Sequence, residues 1–204
     1  MIFINSIYIM NLQVLSVSRT NDWKSFLDFW SSMYFYKLEN VYNSRIGKEI
    51  FEEEDLLNFY IWKNGSVLSK LKQKSLEEKI IANINHINEA KLNKSYTFND
   101  HIEKYKDISA VWSIFLLHLI HPSKFPIYDQ HIHRAFVFIT GIDDYRKIDE
   151  KATDRHKFKF YSEKYLPFIE ENLKDFDLKK IDEAFFSFGQ FLKTKRYDNI
   201  FVKS

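Results

Sequence analysis

The sequence predicts an all-α protein. Only four glycines and three prolines punctuate the 204 residues, and apolar residues recur at helical spacing over long stretches joined by short turns. Asn21 and Asp22 are candidate caps for a helix from Trp23 to about Lys37, with Trp23, Phe26, Leu27, Trp30 and Tyr34 forming one apolar stripe suited to a core. A second helix opens on the acidic run Glu52 to Asp55, which suits the positive end of the helix dipole, and stops at Asn64 and Gly65. The sequence of that turn is WKNG.

A third helix is expected to start after Ser75, where Ser75, Glu77 and Glu78 resemble a capping signal, and to carry Ile80, Ile81, Ile84 and Ile87. A short helix from Phe98 to Tyr105, begun near Asn99 or Asp100, leads into the turn KDISAVW. Trp112 to His121 reads as a strongly apolar helix, and Pro122 and Pro126 bracket the loop after it. Asp129 then caps a helix from Gln130 to about Thr140 that Gly141 closes. Two further helices are expected around Lys157 to Asn172 and Leu178 to Lys193.

Composition narrows the function classes. Apolar residues at 45% and the 20 Phe and 12 Tyr supply the surface for one well-filled core, so the chain reads as a single unit over 1–204. No cysteine is present, which excludes a disulfide framework, a thiolate nucleophile, a cysteine zinc site and an iron–sulfur cluster, and fits a reducing cytoplasm. The opening MIFINSIYIM lacks a basic region and a small-residue cleavage site, and Val111 to Ile120 is too short to span a bilayer, so neither a signal peptide nor a membrane partner is expected. A net charge of +2 is no nucleic-acid footprint by itself. Lysines do cluster locally, at Lys63, Lys70, Lys72 and Lys74 and again at Lys193, Lys195, Arg196 and Lys203. Glycine patterns for dinucleotide or phosphate-loop binding are absent.

The segment 99–141 holds the chemistry: helix, hairpin-like turn, apolar helix, proline loop, then an acid opening the next helix. Its string Tyr128, Asp129, Gln130, His131, Ile132, His133, Arg134, Ala135 resembles the pattern VDTHVxRV of the helix-hairpin-helix superfamily of DNA glycosylases. Asp, His, the aliphatic residue and Arg keep that family's order and spacing. The resemblance implies a two-lobed helical fold with a central cleft and a divergent helix-hairpin-helix. It implies Asp129 as the catalytic carboxylate, supported by His131 and Arg134. Breaking an N-glycosidic bond develops positive charge on the sugar, which a carboxylate stabilises while it orients or deprotonates water.

Two departures shape the expected activity. The family's glycine pair at the hairpin is replaced by Ser109, Ala110 and Trp112, so the phosphate grip there is weakened. The lysine that forms a Schiff base in bifunctional members has no counterpart in the apolar helix, which offers Ile114. A monofunctional hydrolase follows, leaving an abasic site and needing no cofactor and no metal. Ser109, Ala110 and Lys124 are candidate contacts to double-stranded DNA, and Trp62, Lys63, Asn64, Trp112 and Tyr128 are candidates for a base pocket or wedge. The short, cysteine-free form is similar to divergent bacterial antiphage glycosylases that remove hypermodified cytosine, including glucosylated hydroxymethylcytosine, from viral DNA. Two other readings stay open. His118, His121, His131 and His133 with Asp129 have the residue types of a metal-dependent nuclease or hydrolase, and Asp129 as a mere cap would leave a non-catalytic helical DNA-binding module.

Overall fold

The structure, a computed structural model, describes residues 20–144 and 152–194, and these form helices and turns with no strand among them. The expectations made for MIFINSIYIM and for Lys195, Arg196 and Lys203 lie outside the described residues.

Helix α1 (Trp23–Ser32) begins where Asp22 accepts hydrogen bonds from the amides of Lys24 and Ser25. It ends five residues before the expected Lys37, because Ser31 and Ser32 are weak helix formers and turn their hydroxyls back onto Asp28 and Phe29 carbonyls. Tyr34 therefore lies beyond the apolar stripe, where its hydroxyl donates to Glu39 at 2.7 Å. Glu39 opens a short α2 (Glu39–Asn43) that the sequence did not announce.

Helix α3 (Glu53–Asn64) starts with a capping box in which Glu52 and Asp55 exchange side-chain and backbone hydrogen bonds. Gly65 closes it in the left-handed region at φ 74°. A Cβ there would stand 3.0 Å from the Tyr36 hydroxyl, which donates to the Trp62 carbonyl at 2.6 Å. Gly65→Ala is expected to cost about 1–2 kcal/mol through the left-handed backbone alone, read as a fall of a few degrees in the thermal midpoint. An unchanged midpoint would show that the turn relaxes without strain.

The expected start of the third helix is corrected by α4 (Lys70–Lys79), whose cap is Ser69 and within which Ser75 lies. A 3₁₀ turn (Ile81–Asn83) and α5 (Ile84–Leu92) follow, so the isoleucine run spans a break instead of one helix. Thr97, not Asn99 or Asp100, caps α6 (Phe98–Tyr105), with Asp100 completing the box. Helix α7 (Ala110–Ile120) begins two residues earlier than expected and is buried on nearly every side from Ser113 onward, as its all-round apolarity requires. Helix α8 (Gln130–Thr140) has the expected bounds, with Asp129 as cap and Gly141 at φ 66°.

The penultimate helical stretch is longer at its start than expected and irregular within. It comprises α9 (Asp154–Phe160), a π segment (Tyr161–Tyr165) and α10 (Leu166–Asn172). Pro167, near the start of α10, lacks the amide that would bond back by four residues, so the preceding turn widens. Helix α11 (Leu178–Lys193) runs over its expected span. It packs chiefly on α8 and α1, and one continuous buried cluster extends from Leu27 to Leu192. Among the described residues no helix is long and apolar enough to cross a membrane.

Candidate functional site

A cleft of about 900 Å³ opens where α3 and α7 face the start of α8 and the first half of α11. Asp129, Trp62, Lys63, Asn64, Trp112, Tyr128 and His131, all singled out from the sequence, line it. Local structure places the acid. Asp129 has extended backbone, and its Oδ1 accepts the amides of His131 at 2.7 Å and Ile132 at 3.0 Å. One carboxylate oxygen is thus held at the positive end of α8, and the other lies 3.8 Å from the Lys63 Nζ. The Asp129 side chain keeps 18% of its surface exposed, enough for an approaching molecule to reach it.

Lys63 arrives from the last turn of α3. Its amine also donates to the Tyr128 carbonyl at 3.3 Å and lies 5.5 Å from the centre of the Phe115 ring. Burial pulls the ammonium below the usual lysine range, while Asp129 and Asp182 push it back up. The absence of a lysine from α7 therefore does not leave the cleft without an amine, a relation that a sequence separation of 65 concealed.

The aromatic candidates divide by burial. Trp62 is buried, stacked on Phe115 at 5.5 Å with its indole N–H donating to Glu39. Tyr128 is buried too, its hydroxyl 2.7 Å from His133 Nδ1. Trp112 is half-buried, leaning on Tyr60 at 4.6 Å, and offers more open ring surface to the cleft. Asn64 holds the WKNG turn, donating to Ser66 and accepting from Lys72 at 2.5 Å. Tyr34, Tyr36 and Phe186 add aromatic walls that sequence reasoning missed.

Three expected contacts lie elsewhere. Ser109 stands at the N-cap position of α7 outside the cleft, exposed and without a side-chain cap hydrogen bond, whereas Ala110 is fully buried, so no Ala110 side-chain contact to a partner exists. Lys124 donates to the Tyr96 carbonyl at 2.8 Å and borders a separate, smaller cavity. Arg134, expected to support the acid, is buried, with its guanidinium 3.4 Å from the Gly189 carbonyl and 3.3 Å from His131 Nδ1. It positions α8 against α11. His131 holds Asp129 through its backbone amide, while its ring packs on Phe186 at 5.1 Å.

The histidine cluster behind the metal-hydrolase reading is dispersed. His118 is sandwiched between Tyr42 and the Phe125 carbonyl, and burial depresses its pKa to about 3. His121 contacts the Asn93 carbonyl, and His133 stacks on Phe160 at 3.9 Å. Among the described residues no three His, Asp or Glu side chains come together as a metal site.

Helix α11 contributes the charged groups that sequence reasoning did not single out, Lys179, Asp182 and Glu183. Lys179 bridges Glu39 at 2.7 Å and Glu183 at 3.2 Å. Asp182 is nearly inaccessible at 4% exposure, and burial raises its pKa well above the usual carboxylate range. Its Oδ2 accepts the Ile127 amide at 3.1 Å, two residues before Asp129. Comparison with protein-family models, with curated proteins and with solved structures finds no match to this chain.

Proposed function

We propose that this protein is a DNA glycosylase that hydrolyses the N-glycosidic bond of a modified base and leaves an abasic site. The observation that carries the reading is the geometry of Asp129: one oxygen is held by two helix amides and the carboxylate lines an aromatic-walled cleft, within the DxHxxR string. A carboxylate so fixed meets the developing charge of a sugar cation without reorganising. In this reading the helices form two lobes about the cleft, with α6 and α7 as the divergent hairpin.

The cleft suits an extruded base. Its volume of about 900 Å³ lies at the upper end for small-molecule sites, with room for a base carrying a sugar, as in glucosylated hydroxymethylcytosine. Trp112, Tyr34 and Tyr36 supply flat surfaces for the base. At the rim, Lys72 lines the cleft, and Lys70, Lys74 and the exposed Leu71 and Val67 surround it in sequence. Cations with exposed apolar side chains match a phosphate backbone and an opened base stack.

Incubation with normal, damaged and glucosylated-hydroxymethylcytosine DNA, followed by base-release analysis, tests the reading. Free base and alkali-labile sites are the expected products. A shift in DNA mobility with no base released would make the protein a binding module instead.

Lys63 favours a second reading, strand cleavage through a Schiff base, because a buried amine with a lowered pKa is a nucleophile. Its engagement by Asp129 and the Tyr128 carbonyl argues for hydrolysis. Borohydride added during the reaction is expected to trap no protein–DNA adduct. An adduct that disappears in Lys63→Ala would establish the lyase.

A further inference from the structure

Asp182 occupies an improbable place for an acid. It lies on the apolar stripe of α11 beside the buried Ile181, Ala184 and Phe185, and it also lines the cleft. Its Oδ2 has the Ile127 amide, whereas its buried Oδ1 has no hydrogen-bond partner among the described residues. An ionised carboxylate with one hydrogen bond in such a setting carries a large desolvation cost. A neutral carboxyl removes that cost and leaves an O–H donor with no acceptor among the described residues.

The charged surroundings support the neutral form. Two ammonium groups act on Asp182, those of Lys63 and Lys179. Each is shared with other acids: Lys179 with Glu39 and Glu183, Lys63 with Asp129. Asp129 itself raises the Asp182 pKa. The phenols that sense Asp182, on Tyr42, Tyr161 and Tyr165, are kept uncharged by burial. One cleft therefore holds two unlike carboxyl groups: Asp129, partly exposed at a helix N-terminus, and Asp182, buried, with one oxygen held by an amide and the other unpartnered among the described residues.

We propose that Asp182 is the proton donor of this cleft, its carboxyl O–H reaching an acceptor atom of the bound molecule as the side chain turns from its buried position toward the cleft it lines. Resting on the glycosylase reading, that acceptor is a nitrogen or carbonyl oxygen of the departing base. As the C1′–N bond breaks, its electron pair passes to the base and the Asp182 proton neutralises it. A water oxygen bonds to C1′ and gives one proton to Asp129. Release of that proton to solvent and reprotonation of Asp182 complete the cycle. One water is consumed, and the free base and a sugar hydroxyl are formed. The division of labour between a charged and a neutral carboxyl is the one that paired acids at glycosidic bonds require.

Asp182→Asn preserves an acceptor for the Ile127 amide and a donor toward the cleft but has no proton to transfer. Base release from glucosylated-hydroxymethylcytosine DNA is expected to fall about 100-fold or more, with DNA binding kept. The decline of wild-type activity as rising pH takes the Asp182 proton is expected to vanish in the variant. Undiminished excision by a folded Asp182→Asn protein would overturn the proposal. Carbon-detected NMR titration of the aspartate carboxyls in the wild-type protein tests the donor without turnover: Asp182 is expected to remain protonated at neutral pH. Finding it ionised there overturns the proposal whether or not the variant folds. A protonated Asp182 in a wild-type protein that releases no base from any DNA would instead refute the glycosylase reading and retain Asp182 as the donor to another ligand.

Discussion

Asp129→Asn is expected to lower base excision by about 100-fold or more while leaving the thermal midpoint near the native value. The two halves of this result have separate causes. Asn is as good an N-cap as Asp, and its side-chain oxygen can still accept the His131 and Ile132 amides that now bond Oδ1. Helix α8 should therefore start at the same residue. What disappears is the negative charge at the second oxygen, the atom that lies 3.8 Å from Lys63 and borders the cleft. A sugar cation then meets a neutral dipole, and Lys63 loses its counter-ion. Binding to DNA should be kept or strengthened, since a charge opposed to phosphate is gone. Abasic-site formation, DNA affinity and thermal unfolding measured on one preparation decide the matter. Normal excision by the folded variant would reduce Asp129 to a cap and remove the central observation behind the proposed function.

The parts of this molecule that sequence reading reached are those encoded by neighbouring residues. Gly65 and Gly141 end their helices because the left-handed turn is a local demand, and Asp129 caps α8 because its own two following amides need an acceptor. The WKNG turn and the acid of the DxHxxR string could be named for the same reason, although nothing local indicated that α3 would deliver Lys63 to Asp129. Where local signals competed, reading failed. Ser75 with Glu78 imitates a capping box inside α4, whose true cap, Ser69, precedes a lysine-rich turn with no apolar stripe to mark it. The isoleucine run reads as a helix, yet the chain breaks at Ile80 (φ −115°) to seat that residue in the core.

Asp182 was legible in principle. An acid on the same stripe as Ile181, Phe185 and Phe188 contradicts the amphipathic pattern, and such a contradiction marks a site more often than a defect. The groups surrounding it come from α3, α8 and the α11 turn, tens of residues apart, so its chemistry was available only from the tertiary structure.

The largest expected effect on stability comes from a residue that contributes no chemistry. Gly189 sits inside α11, where exchange for alanine on a free helix would stabilise by up to about 1 kcal/mol. Here α11 crosses the start of α8 so closely that a Cβ on residue 189 would stand 1.9 Å from the His131 carbonyl oxygen and 2.5 Å from its carbonyl carbon. Both atoms are backbone, so no rotamer change relieves the overlap, and the helices must separate by more than an ångström. That movement loosens the contacts between α8 and α11 and weakens the Arg134 bond to the Gly189 carbonyl. Overpacking of this kind costs about 3 kcal/mol, which exceeds the gain in helix propensity severalfold. Gly189→Ala is thus expected to lower the thermal midpoint by about 10 °C. His131 supplies the amide closest to Asp129 Oδ1, so excision should fall even below the melting range. A variant as stable and as active as the native protein would mean that α8 and α11 do not approach this closely, and with that the placement of Asp182 near Asp129 would have to be redrawn.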